Sequence, residues 1–194
     1  QLANLQAHDK VLDACSAPGG KACHMAEILA PTGSVDATDI HAHKINLIKY
    51  NIKKLGLNNV HAFQHDATQP YTEMYDKILV DAPCSGLGVL RHKPEIKYTQ
   101  SKEGTQALVD LQLNILNNVR HHLKPGGTII YSTCTIEQLE NENVIYSFLK
   151  ENKDFEFEPM IHPQTGEQIK TLQILPQDFN SDGFFITKIK RKES

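Results

Sequence analysis

The sequence lacks the features that mark membrane-spanning, exported and metal-stapled proteins. No apolar run among its 194 residues approaches the roughly 20 that a membrane-spanning helix needs. No basic segment followed by an apolar stretch opens the chain, so nothing signals export. The four cysteines form no CxxC pair, and their spacing suits neither a zinc site nor a disulfide scaffold. We therefore predict reduced thiols, no bound metal, no association with membranes and a cytoplasmic location.

An excess of positive charge is also missing. With 20 Lys and Arg against 23 Asp and Glu, the formal net charge is −3, which gives the whole chain no electrostatic footprint for nucleic acid. A local basic cluster does exist from Arg91 to Lys97, shortly after Cys84. If Cys84 belongs to an active site, a polyanion would have to approach through this cluster.

The length and composition fit one globular domain over residues 1–194, with 40% apolar and 22% charged residues. The sequence shows no internal repeat and no low-complexity tract. The chain begins at Gln1 rather than Met, so we expect it to be a fragment of something longer.

Short apolar runs alternate with amphipathic segments along most of the chain. The predicted strands cover residues 10–15, 34–39, 60–66, 77–81, 127–134, 155–160 and 184–190. The predicted helices cover residues 21–30, 41–55, a stretch with apolar positions from 108 to 123, and 135–150, the last opened by a capping-box signature at Thr135 and Gln138. A crossover of helical length between successive strands implies an α/β fold with a mostly parallel sheet covered on both faces.

A glycine-containing loop follows the first predicted strand, and an acidic residue, Asp39, ends the second. This order is typical of a nucleotide-binding half. A dinucleotide site would show GxGxxG, whereas this chain has Ala17-Pro-Gly-Gly-Lys21, which favours a ligand with no phosphates at the loop. S-adenosylmethionine fits, because its amino-acid end needs a close backbone turn and its ribose diol needs a carboxylate.

Three carboxylates occupy three successive strand ends or their turns. Asp39 is placed to accept the ribose hydroxyls, and Asp66 to reach the adenine. Asp13 is placed to bind the amides of the turn or the methionine end. A single carboxylate is often only a helix cap or a loop end, but three together favour a binding site at this edge.

Two further strand ends carry thiols, at Cys84 and at Cys134. Methyl transfer to nitrogen or oxygen needs no cysteine, whereas transfer to C5 of a pyrimidine needs a thiolate to add at C6 and a base to remove the C5 proton. Two neighbouring cysteines can supply these roles, although their spacing does not say which one attacks. Buried, inert packing is the ordinary fate of a free cysteine. We assign it to Cys23, and for Cys15 we favour packing or backbone contact over chemistry.

On these segments the chain resembles the Sun/Fmu (RsmB-type) family of RNA cytosine-5 methyltransferases. The matching segments, in the family's order, are Asp13–Lys21, Asp39, Asp66, Asp81–Gly86, Tyr131–Thr135 and Asp182–Phe185. The resemblance implies a Rossmann-like class I methyltransferase fold, with a mostly parallel seven-stranded sheet and an antiparallel last strand. It also implies S-adenosyl-L-methionine as the cofactor.

The resemblance further implies roles for individual residues. Cys134 would be the nucleophile, Cys84 would assist release of the methylated base, and Asp81 would contact the base or the methionine end of the cofactor. The implied cofactor site comprises Cys15, Ser16, Ala17, Pro18, Gly19, Gly20, Lys21, Asp39, Asp66 and Asp81.

The implied substrate is RNA, in the bacterial branch small-subunit (16S) ribosomal RNA, with no obligate protein partner. The RNA-binding region that precedes this core in the family is absent from residues 1–194.

Several alternatives stay open. DNA cytosine methyltransferases attack from a Pro-Cys at the fourth strand, which would make Cys84 the nucleophile, but Thr133-Cys134 favours the RNA family. Their Glu-Asn-Val signature matches here only at 142–144, after Cys134, and we treat that match as chance. Other possibilities are transfer RNA or another methyl acceptor, a non-catalytic RNA-binding module on the same fold, and an NAD-dependent oxidoreductase.

Overall fold

This computed structural model describes residues 3–96, 101–178 and 181–193. Strands and helices alternate up to residue 157, except that no helix lies between the third and fourth strands, where the sequence predicted a crossover of helical length. The strands are β1 (Lys10–Asp13), β2 (Ser34–Asp39), β3 (Val60–Gln64), β4 (Tyr75–Asp81), β5 (Leu123–Thr133), β6 (Phe155–Phe157), β7 (Met160–Ile161), β8 (Gln168–Ile169), β9 (Thr171–Ile174) and β10 (Phe184–Arg191). The helices are α1 (Gly20–Leu29), α2 (Ala42–Leu55), α3 (Lys102–Val119) and α4 (Glu142–Glu151).

The main sheet has the order β3-β2-β1-β4-β5-β10, with β6 and β9 both paired to the outer edge of β10. Strands β1 to β5 are parallel, and β10 is antiparallel to each of its neighbours. The predicted α/β fold with a mostly parallel sheet and an antiparallel last strand is therefore confirmed. The sheet differs in size, because it holds eight strands within the described residues rather than the predicted seven.

Both faces of the sheet are buried, and successive apolar side chains along a strand point to opposite faces. Leu12 and Ile78 point into a core formed with α3 and α4. Their neighbours Val11 and Leu79 point into a second core formed with α1 and α2. A parallel sheet that is covered in this way reads as short continuous apolar runs, as the sequence does. None of the described helices is long and apolar enough to cross a bilayer.

Several predicted boundaries were wrong. The last helix begins at Glu142 rather than at residue 135, because the Thr135 hydroxyl accepts the Glu137 N–H at 3.2 Å within a tight turn. Leu123, assigned to a helix, opens β5 and pairs with Tyr75 across the sheet.

The region after residue 154 also differs from the prediction. The strand predicted over 155–160 is divided at Pro159, which has no N–H to donate. The segment between the last two predicted strands was taken for a loop, but it contains β8 and β9. The predicted strands over 10–15 and 60–66 end early, at Asp13 and Gln64.

Replacing Phe148 by Ala should test the core beneath α4. Phe148 is fully buried, and its ring lies 5.3 Å from that of Phe155. The lost contacts and the cavity left behind should lower the free energy of unfolding by about 3–5 kcal/mol. Chemical denaturation measures this change. Tyr50→Ala is the control, since Tyr50 is 65% exposed on α2 and should change stability by only about 0.5 kcal/mol. Equal losses in the two variants would contradict the packing described above.

Candidate active site

The carboxyl ends of the parallel strands meet at one edge of the sheet, and the predicted site residues lie along it. Strand β4 ends at Asp81, which pairs in register with Ser132 of β5. The two chains then turn away, and the Sγ atoms of Cys84 and Cys134 lie 3.3 Å apart. This distance allows one thiol to donate a hydrogen bond to the other sulfur. The structure thus brings together the two cysteines that the sequence analysis singled out.

The two sulfurs differ in their readiness to ionise. The hydrogen bond from Cys84 lowers the pKa of Cys134 to about 7, although burial of Cys134 opposes this shift. The pKa of Cys84 is raised well above its ordinary value, first by the hydrogen bond to Cys134 and then by burial. As the pH rises through about 7, the pair loses its first proton from Cys134, while the proton of Cys84 stays in place. A thiolate is the nucleophilic form of cysteine.

The other two cysteines lack these properties. Burial, together with the nearby carboxylates of Asp13 and Asp39, raises the pKa of Cys15, so this thiol stays protonated. Burial also raises the pKa of Cys23, which lies in α1. Both observations agree with the packing roles that we expected for these residues.

Asp81 lies beside the thiol pair and is held by two neighbours. Its Oδ1 accepts a hydrogen bond from the Ser132 hydroxyl at 2.7 Å, and its Oδ2 accepts one from Lys21 Nζ. The same ammonium lies 5.3 Å from the centre of the Phe184 ring. The side chains of α1, β4, β5 and β10 therefore meet at this carboxylate.

A cavity of about 470 Å³ opens next to Asp81, within the size range of small-molecule sites. Five of the predicted cofactor residues line it: Cys15, Ala17, Asp39, Asp66 and Asp81. Apolar side chains close the cavity, among them Ile40, Leu111 and Ile115. Pro83, the neighbour of Cys84, also lines it, so the cavity reaches the start of the Cys84 loop.

The two outer carboxylates of the cavity also make local hydrogen bonds. Asp39 Oδ1 accepts the N–H of His41 at 3.0 Å, and Asp66 Oδ1 accepts both the N–H and the hydroxyl of Thr68 at 2.9 and 2.8 Å. These bonds orient both side chains where β2 and β3 end.

The other predicted cofactor residues, Ser16, Pro18, Gly19, Gly20 and Lys21, form the loop beside the cavity and the first turn of α1 rather than the cavity wall. Gly19 has φ 98°, and an added Cβ there would lie 3.0 Å from the Ile48 side chain. This glycine is thus required by the turn and by packing against α2.

Asp13 is fully buried at the end of β1. Neither of its carboxylate oxygens has a hydrogen-bond partner with good geometry among the described residues, although the Ser16 side chain and the Cys15 backbone of the turn lie close enough to lower its pKa in part. Burial raises the pKa of Asp13 to about 7. A buried carboxylate in this state would be stabilised by a cationic group bound next to it.

Four buried polar residues that the sequence analysis missed support the thiol loops: Ser85, Gln112, Thr135 and Glu140. We call them the buried polar network. The hydroxyls of Ser85 and Thr135, each the neighbour of one cysteine, are 2.8 Å apart. No signal in the sequence separates Glu140 from the nearby Glu137 and Glu142, because its burial depends on contacts with distant parts of the chain.

The segment after Cys84 forms a short 3₁₀ turn, Leu87–Val89, which packs closely against the end of β5. The Gly88 N–H donates to the Cys134 carbonyl at 2.9 Å, and the Gly88 carbonyl accepts the Gly183 N–H at 2.8 Å. Arg91 and the following two residues are exposed beyond this turn. Lys97, the other end of the predicted basic cluster, lies outside the described residues.

No three His, Cys, Asp or Glu side chains are grouped to hold a metal ion in the part of the chain that the structure describes.

Residues 1–190 match the model of the family described as 16S rRNA methyltransferase RsmB/F. The chain belongs to this family. Its predicted family membership is thereby confirmed. A curated member, the probable ribosomal RNA small subunit methyltransferase B of Bacillus subtilis, is 44% identical over 194 residues, or 95% of this chain and 43% of that protein. The ribosomal RNA small subunit methyltransferase B of Klebsiella pneumoniae is 40% identical over 95% of this chain and 42% of its own length. The chain thus spans less than half the length of these two relatives.

The fold comparison agrees with this membership. The crystal structure of NSun6 from Pyrococcus horikoshii with SFG, an S-adenosylmethionine analogue, has a TM-score of 0.86 and 30% sequence identity. The match covers 99% of this chain and 50% of that one.

The thiol pair predicts a shift in the pH dependence of Cys134 alkylation. In the wild-type protein the rate should rise with pH and level off above a midpoint near the lowered pKa of about 7, because only the thiolate reacts. Cys84→Ala removes the hydrogen bond that stabilises the thiolate, so the midpoint should move up by about one pH unit. Iodoacetamide labelling, read by mass spectrometry of the peptide that contains Cys134, measures the midpoint. An unchanged midpoint in Cys84→Ala would show that the thiols do not share a proton.

Gly88→Ala should disturb the Cys134 loop through its backbone. The added Cβ would lie 2.2 Å from the Gly183 carbonyl oxygen and 2.8 Å from that of Cys134. We expect a loss of about 1–3 kcal/mol in the free energy of unfolding, together with an altered rate of Cys134 alkylation. Gly20→Ala is the control for stability alone, since an added Cβ there meets nothing within 4 Å. Equal stability of the two variants would contradict the close approach of the three segments.

Proposed function

We propose that this chain is the catalytic core of an S-adenosylmethionine-dependent methyltransferase that methylates C5 of a cytosine in small-subunit ribosomal RNA. The observation that carries this proposal is the pair of sulfurs 3.3 Å apart at the ends of neighbouring parallel strands, of which Cys134 ionises more readily than Cys84. Methyl transfer to nitrogen or oxygen has no use for such a pair. Methylation of a pyrimidine carbon needs both a nucleophile and a base.

S-adenosylmethionine is the cofactor of this family, and when bound it supplies an electrophilic methyl group. The residues that line the cavity fit it. Asp39 and Asp66 would accept hydrogen bonds from the ribose and adenine, and Ile40 and Leu111 offer apolar contacts to the ring. The buried carboxylate of Asp13, which has no partner among the described residues, fits the ammonium of the methionine end.

Cys134 is the proposed nucleophile. Its thiolate forms a bond to C6 of the cytosine, and the electron pair of the C5–C6 double bond moves to C5. That carbon then accepts the methyl group. The hydrogen bond from Cys84 prepares Cys134 for this attack, because it keeps the sulfur ionised near neutral pH.

Cys84 is the proposed base of the second half-reaction. Its pKa is raised chiefly by the neighbouring Cys134 thiolate. Once Cys134 is bonded to C6 its negative charge is gone, and the largest cause of the raised pKa goes with it. Cys84 then ionises more readily, and once it has released its own proton to water its thiolate can take the C5 proton. The electron pair of the C5–H bond restores the double bond, and Cys134 leaves as a thiolate.

Asp81 is proposed to contact the target base or the methionine end of the cofactor. It lines the cofactor cavity and lies next to the thiols. Its links to Ser132 and Lys21 fix the carboxylate, so that it can act as an oriented hydrogen-bond acceptor.

The proposed substrate follows from the names of the relatives, which refer to small-subunit ribosomal RNA. A cytosine reaches the thiols only when it is turned out of its stack, which favours a loop as the target. The exposed segment from Arg91 onward is the proposed contact for the flanking RNA backbone. We place the activity in the cytoplasm, where thiols remain reduced.

Substitution of each thiol tests the mechanism. Cys134→Ala should abolish both methylation and any protein–RNA adduct, because no bond to C6 can form. Cys84→Ala should accumulate an adduct that resists denaturation, because the C5 proton is not removed. Gel shift under denaturing conditions and transfer of labelled methyl groups measure the two effects. Cys23→Ala is the control, since Cys23 lies buried in α1.

The results also test the assignments separately. If Cys134→Ala traps the adduct and Cys84→Ala turns over normally, the two roles are reversed. Label found in transfer RNA, with none in small-subunit ribosomal RNA, would overturn the proposed substrate while leaving the chemistry intact.

A further inference from the structure

We propose that Glu140 is a positioning residue that holds Cys84 in place for release of the methylated base. The inference rests on the proposed function, since it assigns Glu140 to the half-reaction in which Cys84 acts. Glu140 makes no hydrogen bond to either sulfur within the described residues, so it acts through the backbone on both sides of Cys84.

The backbone on either side of Cys84 is held by the buried polar network. Glu140 Oε2 accepts the N–H of Ser85 at 2.9 Å. The same oxygen accepts Nε2 of Gln112 at 3.1 Å, and that amide also donates to the Pro83 carbonyl at 2.9 Å. One carboxylate oxygen and one amide therefore fix the residue before Cys84 and the residue after it.

Glu140 is tied equally to the strand that leads to the other thiol. Its backbone carbonyl accepts the Tyr131 hydroxyl at 2.7 Å, and Tyr131 lies in β5 three residues before Cys134. Glu140 therefore links residues 83–85 to the end of β5. A displacement of Glu140 would change the distance between the two sulfurs.

The burial of Glu140 is costly, which argues for a specific use. Its side chain is fully buried, and its Oε1 has no hydrogen-bond partner among the described residues. Its carboxylate forms no ion pair within the described ranges. An apolar side chain would fill this position without the cost of desolvating a carboxylate. An apolar side chain, however, could not accept the hydrogen bonds that Oε2 accepts from Ser85 and Gln112.

Three substitutions separate the acceptor from charge and volume. Glu140→Gln keeps an acceptor oxygen, Glu140→Asp keeps the charge but draws the carboxylate back by one methylene, and Glu140→Ala removes the group. We expect Glu140→Gln to behave as wild type. Glu140→Asp and Glu140→Ala should slow release of the methylated base by about tenfold, as for loss of one hydrogen bond. The measured signal is accumulation of the denaturant-resistant adduct seen with Cys84→Ala.

A second readout needs no RNA and would not respond to a merely structural role. Displacing Cys84 weakens its hydrogen bond to Cys134. The pH midpoint of Cys134 alkylation should therefore rise in Glu140→Asp and Glu140→Ala but not in Glu140→Gln. Thermal unfolding of each variant is measured as well. If Glu140→Ala does not fold, Glu140→Asp still provides the test. Glu142→Ala, in the first turn of α4, is the matched control and should alter neither readout.

The outcomes distinguish this inference from the proposed function. If Cys84→Ala traps the adduct while Glu140→Asp and Glu140→Ala release it normally with an unchanged alkylation midpoint, Glu140 is only structural and the inference fails. If Glu140→Gln is as impaired as Glu140→Ala, Glu140 does not act as a hydrogen-bond acceptor. If Cys84→Ala traps no adduct, the proposed function fails, and the Cys134 midpoint alone then decides whether Glu140 positions Cys84.

Discussion

The hydrogen bond between two sulfur atoms is the interaction on which the rest of the site depends. It exists because β4 and β5 are adjacent and parallel, with Asp81 opposite Ser132, so that both chains turn at the same edge of the sheet. The bond divides one proton unequally between two chemically identical side chains. The proposed nucleophile and the proposed proton acceptor are thus the same residue type and differ through position alone.

The surroundings of the thiols keep this unequal division in place. Backbone hydrogen bonds link the turn at Gly88 to the Cys134 carbonyl and to Gly183, so the two thiol loops and the turn before β10 move together. Two carboxylates of the proposed cofactor cavity are held differently, because Asp39 and Asp66 are oriented by hydrogen bonds to residues two positions further along the chain. The third, Asp81, is held by Lys21 and Ser132 and so depends on long-range contacts, as the thiol pair does.

This division explains how much the sequence could predict. Apolar runs that end in Asp39, Asp81 and Cys134 gave the strand order along the chain and the residues at the sheet edge, because those signals are local. The start of α4 was misplaced because a capping-box pattern at Thr135 cannot reveal that its hydroxyl is already used in a turn. The two edge strands β6 and β9 are short, and each is stabilised by pairing with β10 rather than by its own pattern.

Long-range pairing also explains the contacts that the sequence analysis missed. Lys21 and Asp81 are 60 residues apart in the chain, and Gln112 and Glu140 are 28 apart. Nothing in the immediate sequence of either pair indicates its partner. The state of Asp13 was missed for the same reason, since its lack of a hydrogen-bond partner follows from how the neighbouring elements enclose it.

The buried polar network has a consequence for how members of this family can diverge. Ser85, Gln112 and Glu140 lie on three separate segments, yet the carboxylate of the last accepts from both of the others. A change that removes this acceptor alone would strand an amide or a backbone N–H away from water, a cost large enough to be selected against. In descendants of a common ancestor, loss of the acceptor at position 140 should therefore be accompanied by a compensating substitution at position 112.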